Sequence, residues 1–388
     1  MTMKTRAAVL RQMGLPAPYA DSRPLQVETV DLAPPAEGEL LIRVQAAGLC
    51  HSDLSVINGS RPRVMPMVLG HEAAGVVEAC GPGVTDFAPG DAVVFSFVPV
   101  CGHCDPCASG RAALCEPGAR ANVAGSLLGG TTPFTDCGDG ATLHHHLGVS
   151  GFAERTVVSQ RSAVKIDPSL PPEIAALFGC AVMTGVGSVV NTARVAPGQS
   201  VAVFGMGGVG LAALLGAVAS GAYPVVAVDV RADKLALARE LGATHTILAA
   251  AEIDVPAAIK AAVPGGVEVA VETVGHEQVL LQAYQATRRG GTTVTVGLPH
   301  PSRNFVISAV SLVAEERTVK GSYMGSCVPS RDVPRFVALY RAGRLPVDRL
   351  LTHTLTLDQI NEGFDRLARG EAVRQVVLFT AELTRKVI

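Results

Sequence analysis

The chain has 388 residues, 48% of them hydrophobic and 17% charged, with 32 basic against 34 acidic side chains and a net charge of −2. A chain this apolar can bury a large core, which excludes intrinsic disorder. The balanced charge argues against a dedicated nucleic-acid binder, whose affinity rests on basic residues, and the length suits two domains.

The opening stretch MTMKTRAAVLRQMGLPAP holds no apolar run of signal-peptide length, so the expectation is a chain that is not exported, and a cytoplasmic one. To about residue 180, short apolar runs at 39–49, 73–81 and 91–100 alternate with loops such as PPAEGE and GPGVTDFAPGD. Proline and glycine in those loops stop strands, and the spacing predicts a β-rich, barrel-like domain. Within it, CGHCDPCASGRAALC sets Cys101, Cys104 and Cys107 at two-residue gaps, with Cys115 after seven more residues. Clustered cysteines in a chain that is not exported point to metal rather than to disulfides. Four thiolates this close in sequence can close a tetrahedral zinc site with no open position, a structural site. An iron–sulfur cluster is the alternative, whereas a redox dithiol leaves half the motif unexplained. His103 lies between ligands that already saturate the ion and reads as a bystander. Residues 116–150 read as a long, glycine-rich, weakly patterned loop, functional or mobile. It carries His144, His145 and His146, a run that is usually solvated.

Between Arg194 and Asp229 there is no charged residue, a stretch longer than the ~20 apolar residues of a membrane helix. Its prolines and glycines divide it instead into a strand (200–204), the turn GMGGVG, a helix and a second strand (224–230). Such a βαβ unit has strands that are apolar on both faces. Strands and helices go on alternating to 323, the pattern of a doubly wound parallel sheet. The segment 324–388 follows with a helix, a strand near HTLTL, a helix and the terminal strand RQVVLFT.

In GMGGVG, Gly205, Gly207 and Gly210 form G-x-G-x-x-G, with Gly208 inside the same turn, and Asp229 ends the next strand. A glycine turn between strand and helix lets a dinucleotide pyrophosphate approach closely. The Asp229 carboxylate would accept from the adenosine ribose hydroxyls and repel a 2′-phosphate, although Arg231 and Lys234 lie close enough to soften that exclusion. The expected cofactor is NAD rather than NADP.

Taken singly, a cysteine such as Cys50 or Cys180 reads as a small buried residue and His71 as a satisfied polar group. Together with the other motifs, GLCHSD, LGHEAAGVV, FGCAVMTG, VFGMGGVG, VDVRADKLALARELGAT and INEGFDRLARGEAVR, they make the chain resemble the zinc-containing medium-chain alcohol dehydrogenases over nearly its whole length. Residues 116–150 and HHHLGVSGFAE look most like the branch of the vertebrate liver enzymes and the glutathione-dependent formaldehyde dehydrogenases. The resemblance implies an α/β fold with a GroES-like catalytic domain (1–181, its zinc lobe at 101–115), a Rossmann cofactor domain (182–323) and a return segment (324–388). It implies two zinc ions per chain, one structural and one catalytic, the latter held by Cys50, His71 and Cys180 with one position left for water or substrate. Asp53 would orient His71 from behind, Glu72 would stand beside the metal, and Ser52 would take the proton of the alcohol. Thr184 would lie near the nicotinamide, Val209 would pack on its rear face, and Arg374 would reach the pyrophosphate. Phe97, His146, Leu147, Leu298 and Tyr323 fall where relatives line the alcohol channel, with Arg61 near its mouth; His146 stands where relatives carry a large apolar side chain.

Two positions depart from the family pattern. Ser55 replaces a histidine that often ends the proton relay, which makes water or a buffer ion the final acceptor. His51 replaces a frequent arginine facing the pyrophosphate, which implies a weaker, pH-dependent grip on the cofactor. The implied activity is reversible hydride transfer between a primary alcohol, aromatic ones included, and NAD, by a homodimer with small-molecule partners and neither a nucleic-acid nor a membrane partner. A thiol-adduct formaldehyde dehydrogenase is the alternative, although acidic and arginine residues expected for a glutathione adduct are missing. A zinc-binding regulatory protein on a dead scaffold is the non-enzymatic one. Cys80, Cys137 and Cys327 are assigned no function.

Overall fold

The computed structural model describes residues 2–379; Thr380, which ends the expected strand RQVVLFT, and the residues after it lie outside the described residues. The chain divides into two compact units, one formed by residues up to Cys180 together with the chain from Leu351, the other by Ala181–Leu350.

In the first unit, strands Met3–Leu10, Leu25–Leu32, Phe134–Asp136, Thr142–His145 and Met67–Val68 close into a barrel. A seven-stranded sheet follows, in the order Ala163–Lys165, Ala92–Phe95, Glu72–Cys80, Glu39–Gly48, Arg374–Leu378 and Leu351–Leu355, with Arg155–Ser159 also paired to Glu39–Gly48. Closure removes sheet edges, and apolar side chains of both sheets, such as Leu10 and Ile42, fill the core together with Phe152 from a bend and Phe364 from the helix Ile360–Ala368. Residues 116–150 are therefore not a mobile loop. They contain the helix Glu116–Ala124 and two barrel strands, and Asn122 Nδ2 donates to the Phe97 carbonyl at 2.8 Å. Strands this short carry too few residues to show a period of two, which is why the sequence pattern misses them.

The second unit holds six parallel strands in the order His245–Leu248, Val225–Asp229, Val201–Phe204, Val267–Glu272, Thr287–Thr295 and Thr318–Gly321. Val201–Phe204 is buried along its whole length, as a strand covered by helices on both faces must be. The uncharged stretch after Arg194 resolves into this strand, the twelve-residue helix Gly208–Ala219 and the strand Val225–Asp229. Among the described residues one helix, Pro172–Ala193, is long and apolar enough to cross a membrane, but it is mostly buried inside the protein.

The return to the first unit begins at Leu351, later than the expected 324. Residues 324–350 belong to the second unit because they pack there: a side chain at Gly187 would collide with Cys327 Sγ and the Gly325 carbonyl. Asn191 Nδ2 donates to that same carbonyl at 3.4 Å.

Candidate functional site

Strand pairing builds the first site. Gly48 lies opposite Glu72 in the antiparallel register, so Cys50, two residues past one strand, and His71, just before the other, emerge at the same end of the sheet. Cys50 caps the helix His51–Ile57, whose first turn carries Asp53. The third donor comes from the helix that starts at Pro172. It widens into a π-helical turn over Phe178–Val182, a distortion often found at functional sites, and Gly179 lets it approach the Phe95 carbonyl, which any side chain would strike. Cys180 is the next residue. The donor atoms of Cys50, His71, Glu72 and Cys180 all lie within 4.8 Å of one another, and all four residues are buried.

Two thiols and an imidazole match the soft–borderline donor set of zinc, and three protein donors leave the open position a catalytic ion needs. The electrostatics point the same way. A hydrogen bond from the Cys180 thiol, with His71 and Arg374, holds the Cys50 thiol well below its ordinary range against burial. Burial opposes charging of His71, but Asp53 and Cys50 raise its pKa to about 10. The ring therefore holds a proton that a metal ion would displace, as ligand sites require.

Behind the donors, Asp53 is fully buried. Its Oδ1 accepts from His71 Nδ1 at 3.1 Å and from the Gly70 amide at 3.2 Å. That bond leaves His71 Nε2 for a metal. His146 Nδ1 lies 3.1 Å from the same oxygen. His146 and Phe97 both meet the His71 ring edge-on, at 5.5 and 5.7 Å between centroids. The histidine run is thus not solvated: His145 and His146 are 0% and 1% exposed. His145 Nε2–H donates to the Val157 carbonyl at 2.7 Å, and its Nδ1 hydrogen-bonds to Ser150 Oγ inside the barrel.

Glu72 is paired with Arg374 through one oxygen, while its Oε1 and the Arg374 Nε have no partner. Arg374, expected at the pyrophosphate, is 4% exposed and engaged with Glu72. This pair could not be read from the sequence, since its members stand 302 residues apart. Gly48 makes room for it, because a Cβ there would meet Glu72 Cδ at 2.9 Å. Ser52 is half-buried and His51 exposed, and the Ser55 hydroxyl donates to the His51 carbonyl at 2.8 Å. Of the expected channel residues, Phe97, His146 and Leu147 are buried in the first unit and Arg61 is half-buried there, whereas Leu298 and Tyr323 are exposed residues of the second unit, at 52% and 39%.

The second metal cluster is local. The sulfurs of Cys101, Cys104, Cys107 and Cys115 lie within 4.8 Å of one another. The Cys101 amide donates to Cys115 Sγ, the Cys104 amide to Cys101 Sγ, and the Gly118 amide to Cys115 Sγ, at 3.2–3.4 Å. Such bonds favour thiolate over thiol. Against burial, backbone N–H groups of His103 and Cys104 bring Cys101 down to about 7. His103 Nδ1 is engaged with the Cys101 carbonyl at 3.0 Å, so it stands outside the donor set.

In the second unit, Gly205 adopts φ +88°, and a Cβ at Gly210 would lie 1.7 Å from the Gly205 carbonyl. Nothing lies within 4 Å of where a Cβ at Gly207 would be, which leaves the turn open at the helix N-terminus where a pyrophosphate binds. Val209 is half-buried beside it. Asp229 accepts from the Met206 amide at 2.5 Å and the Arg231 amide at 2.9 Å, which fixes the carboxylate beside the turn. The Thr184 hydroxyl is buried without a partner. These features fit a dinucleotide.

Comparison with known proteins agrees with this geometry. Residues 36–168 match the alcohol dehydrogenase GroES-like domain and residues 208–342 the zinc-binding dehydrogenase domain. An NDMA-dependent alcohol dehydrogenase from Amycolatopsis methanolica is 41% identical, covering 98% of this chain and 100% of that protein. An alcohol dehydrogenase zinc-binding domain protein from Burkholderia ambifaria superposes with TM-score 0.92 at 37% identity, over 98% and 100% of the two chains. Benzyl alcohol dehydrogenase from Acinetobacter calcoaceticus gives 0.90 at 32% identity, over 97% and 100%.

Proposed function

Because the chain belongs to the zinc-dependent medium-chain alcohol dehydrogenase family, we propose that it oxidises a primary aromatic alcohol to the aldehyde, reversibly, with NAD as hydride acceptor. The observation that carries this is the buried Cys50–His71–Cys180 donor set with an apolar ring, Phe97, against it. A scaffold that kept only its structural lobe would have no reason to assemble that set. Similarity to a benzyl alcohol dehydrogenase supports the aromatic substrate.

Cys50, His71 and Cys180 would hold the catalytic zinc, and Cys101, Cys104, Cys107 and Cys115 a structural one, two ions per chain. Zinc in an open site supplies Lewis acidity, lowering the pKa of a bound hydroxyl as it lowers that of water to about 7. Asp53 keeps His71 in the ligating tautomer. Ser52 takes the alcohol proton; with Ser55 bonded to the His51 carbonyl, no imidazole follows to pass it on, and solvent receives it. Glu72, tied to Arg374, adds negative charge beside the donors.

NAD over NADP rests on the Asp229 carboxylate and on Arg231, whose guanidinium is forked onto Asp233 at 2.8 and 3.1 Å. A homodimer is supported by Thr318–Gly321 at the end of the sheet and by the exposed Val306, Val310 and Val313, at 70–80%. Nine free cysteines support a reducing, cytoplasmic setting.

The test is reduced-cofactor production over a panel of benzyl and aliphatic alcohols, with NAD or NADP, and a further arm with NDMA. Benzyl alcohols with NAD give the highest kcat/KM; turnover of none of the panel, with metal analysis showing two zinc ions, would overturn the reading. Sedimentation velocity decides the dimer.

A further inference from the structure

Among the described residues, one cation near His146 has no carboxylate paired to it. Arg63 lies in the segment between the helix His51–Ile57 and the strand Met67–Val68. That segment carries Arg61 and Arg63, and no acidic residue occurs from 54 to 71. Strand register sets Met67 opposite His144 and Val68 opposite His145, and the His144 amide donates to the Pro66 carbonyl at 2.8 Å. The approach to Met67 therefore runs beside the segment that ends in His146.

Arg63 Nε is buried with no hydrogen-bond partner, and among the described residues no carboxylate pairs with the guanidinium. The charge is within electrostatic reach of the His146 ring, which in turn stands 5.5 Å from the ring of His71. His146 is 1% exposed, and its Nδ1 faces Asp53 Oδ1 at 3.1 Å. A guanidinium N–H out of water and unpaired is unfavourable unless something completes it. Its planar fork is suited to an oxyanion, and one such cation matches the single charge of a carboxylate better than the double charge of a phosphate.

We propose that Arg63 is a specificity-determining residue of the substrate site, and that the preferred alcohols carry a carboxylate remote from the reacting hydroxyl, as in a (hydroxymethyl)benzoate. The inference rests on the alcohol-oxidation reading and narrows its substrate class.

Initial rates with meta- and para-(hydroxymethyl)benzoate, set against the matching methylbenzyl alcohols of similar shape, test it in the wild-type enzyme, R63M and R63K. A KM at least tenfold lower for a carboxylated alcohol in the wild type, lost in R63M and restored in part by R63K, is the expected result. Equal KM values in the wild type, or a preference that survives R63M, would overturn the proposal. Calorimetric binding of the same benzoates to the holoenzyme without NAD needs no turnover. Binding that is tenfold weaker in R63M than in R63K supports the anion site even if no alcohol is oxidised, in which case the alcohol reading alone fails. A phenyl phosphate ester that binds more tightly than the benzoates would overturn the choice of carboxylate.

Discussion

The two metal clusters of the first unit are built in opposite ways. The four cysteines of the lobe fall within residues 101–115, and backbone amides of the same stretch point at their sulfurs. Cys50, His71 and Cys180 are brought together by a strand register, a helix cap and a π-helical turn. A local cluster with four thiolates is closed and can only hold its surroundings together; a dispersed one depends on the whole fold for its geometry and keeps a position free for chemistry. The lobe therefore contributes stability, and the dispersed site spends it on function.

The sharpest way to break this contrast is to remove one ligand from each. C180S is expected to lower kcat/KM by about 1,000-fold or more, beyond the ~10–100-fold typical of groups that only support a ligand. Its zinc content falls from two ions to one, and its Tm stays close to the wild type. In C115S the order reverses: zinc again falls by one, but the loss appears first in stability. About 3 kcal/mol of lost folding energy corresponds to about 6–12 °C in Tm for a unit of this size. Equal Tm losses in the two variants would erase the distinction drawn between the sites.

A smaller effect separates the barrel from the lobe by pH. Burial, with the neighbouring His146 and His144, pushes the His145 pKa down to about 3, against ~6.5 in an unfolded chain. The unfolded state then takes up a proton below about pH 6.5 that the folded state refuses until about pH 3. Stability is lost as pH falls through that window, by about 1 kcal/mol between pH 6.5 and 5.5. Urea titrations at the two pH values measure it, and H145Q should flatten the slope while lowering stability at neutral pH. The smallest effect is expected for H103A. It removes one hydrogen bond, to the Cys101 carbonyl, costs less than about 1 kcal/mol and leaves the zinc content at two; a loss of zinc would make His103 part of the site.

The same contrast explains which parts of the molecule the amino-acid sequence reveals by itself. The cysteine lobe and the glycine turn are contiguous, so spacing and local pattern suffice to find them. The dispersed ligands were legible only through resemblance, because each has an ordinary explanation by itself. What stayed hidden depends on long-range pairing. Thr142–His145 is a strand only because the barrel closes on it, and His145 and His146 are buried only for that reason. The Glu72–Arg374 pair and the approach of His146 to Asp53 are products of register that no local pattern records. Residues 324–350 look like a new segment in sequence, yet Cys327 and Gly325 seat them against Gly187.

The strand Arg374–Leu378 lies between Glu39–Gly48 and Leu351–Leu355, and the Leu49 amide donates to the Gln375 carbonyl just before Cys50. During synthesis, the sheet that positions Cys50 and His71 thus lacks an interior member until Arg374–Leu378 has left the ribosome. The six-stranded unit, complete by Leu350, has all its pairing partners earlier. Domains on a nascent chain ordinarily mature from the amino end; in this molecule the half that begins first is the half that finishes last, and a chain that stops short of residue 374 would carry a complete nucleotide-binding unit beside an unfinished catalytic one.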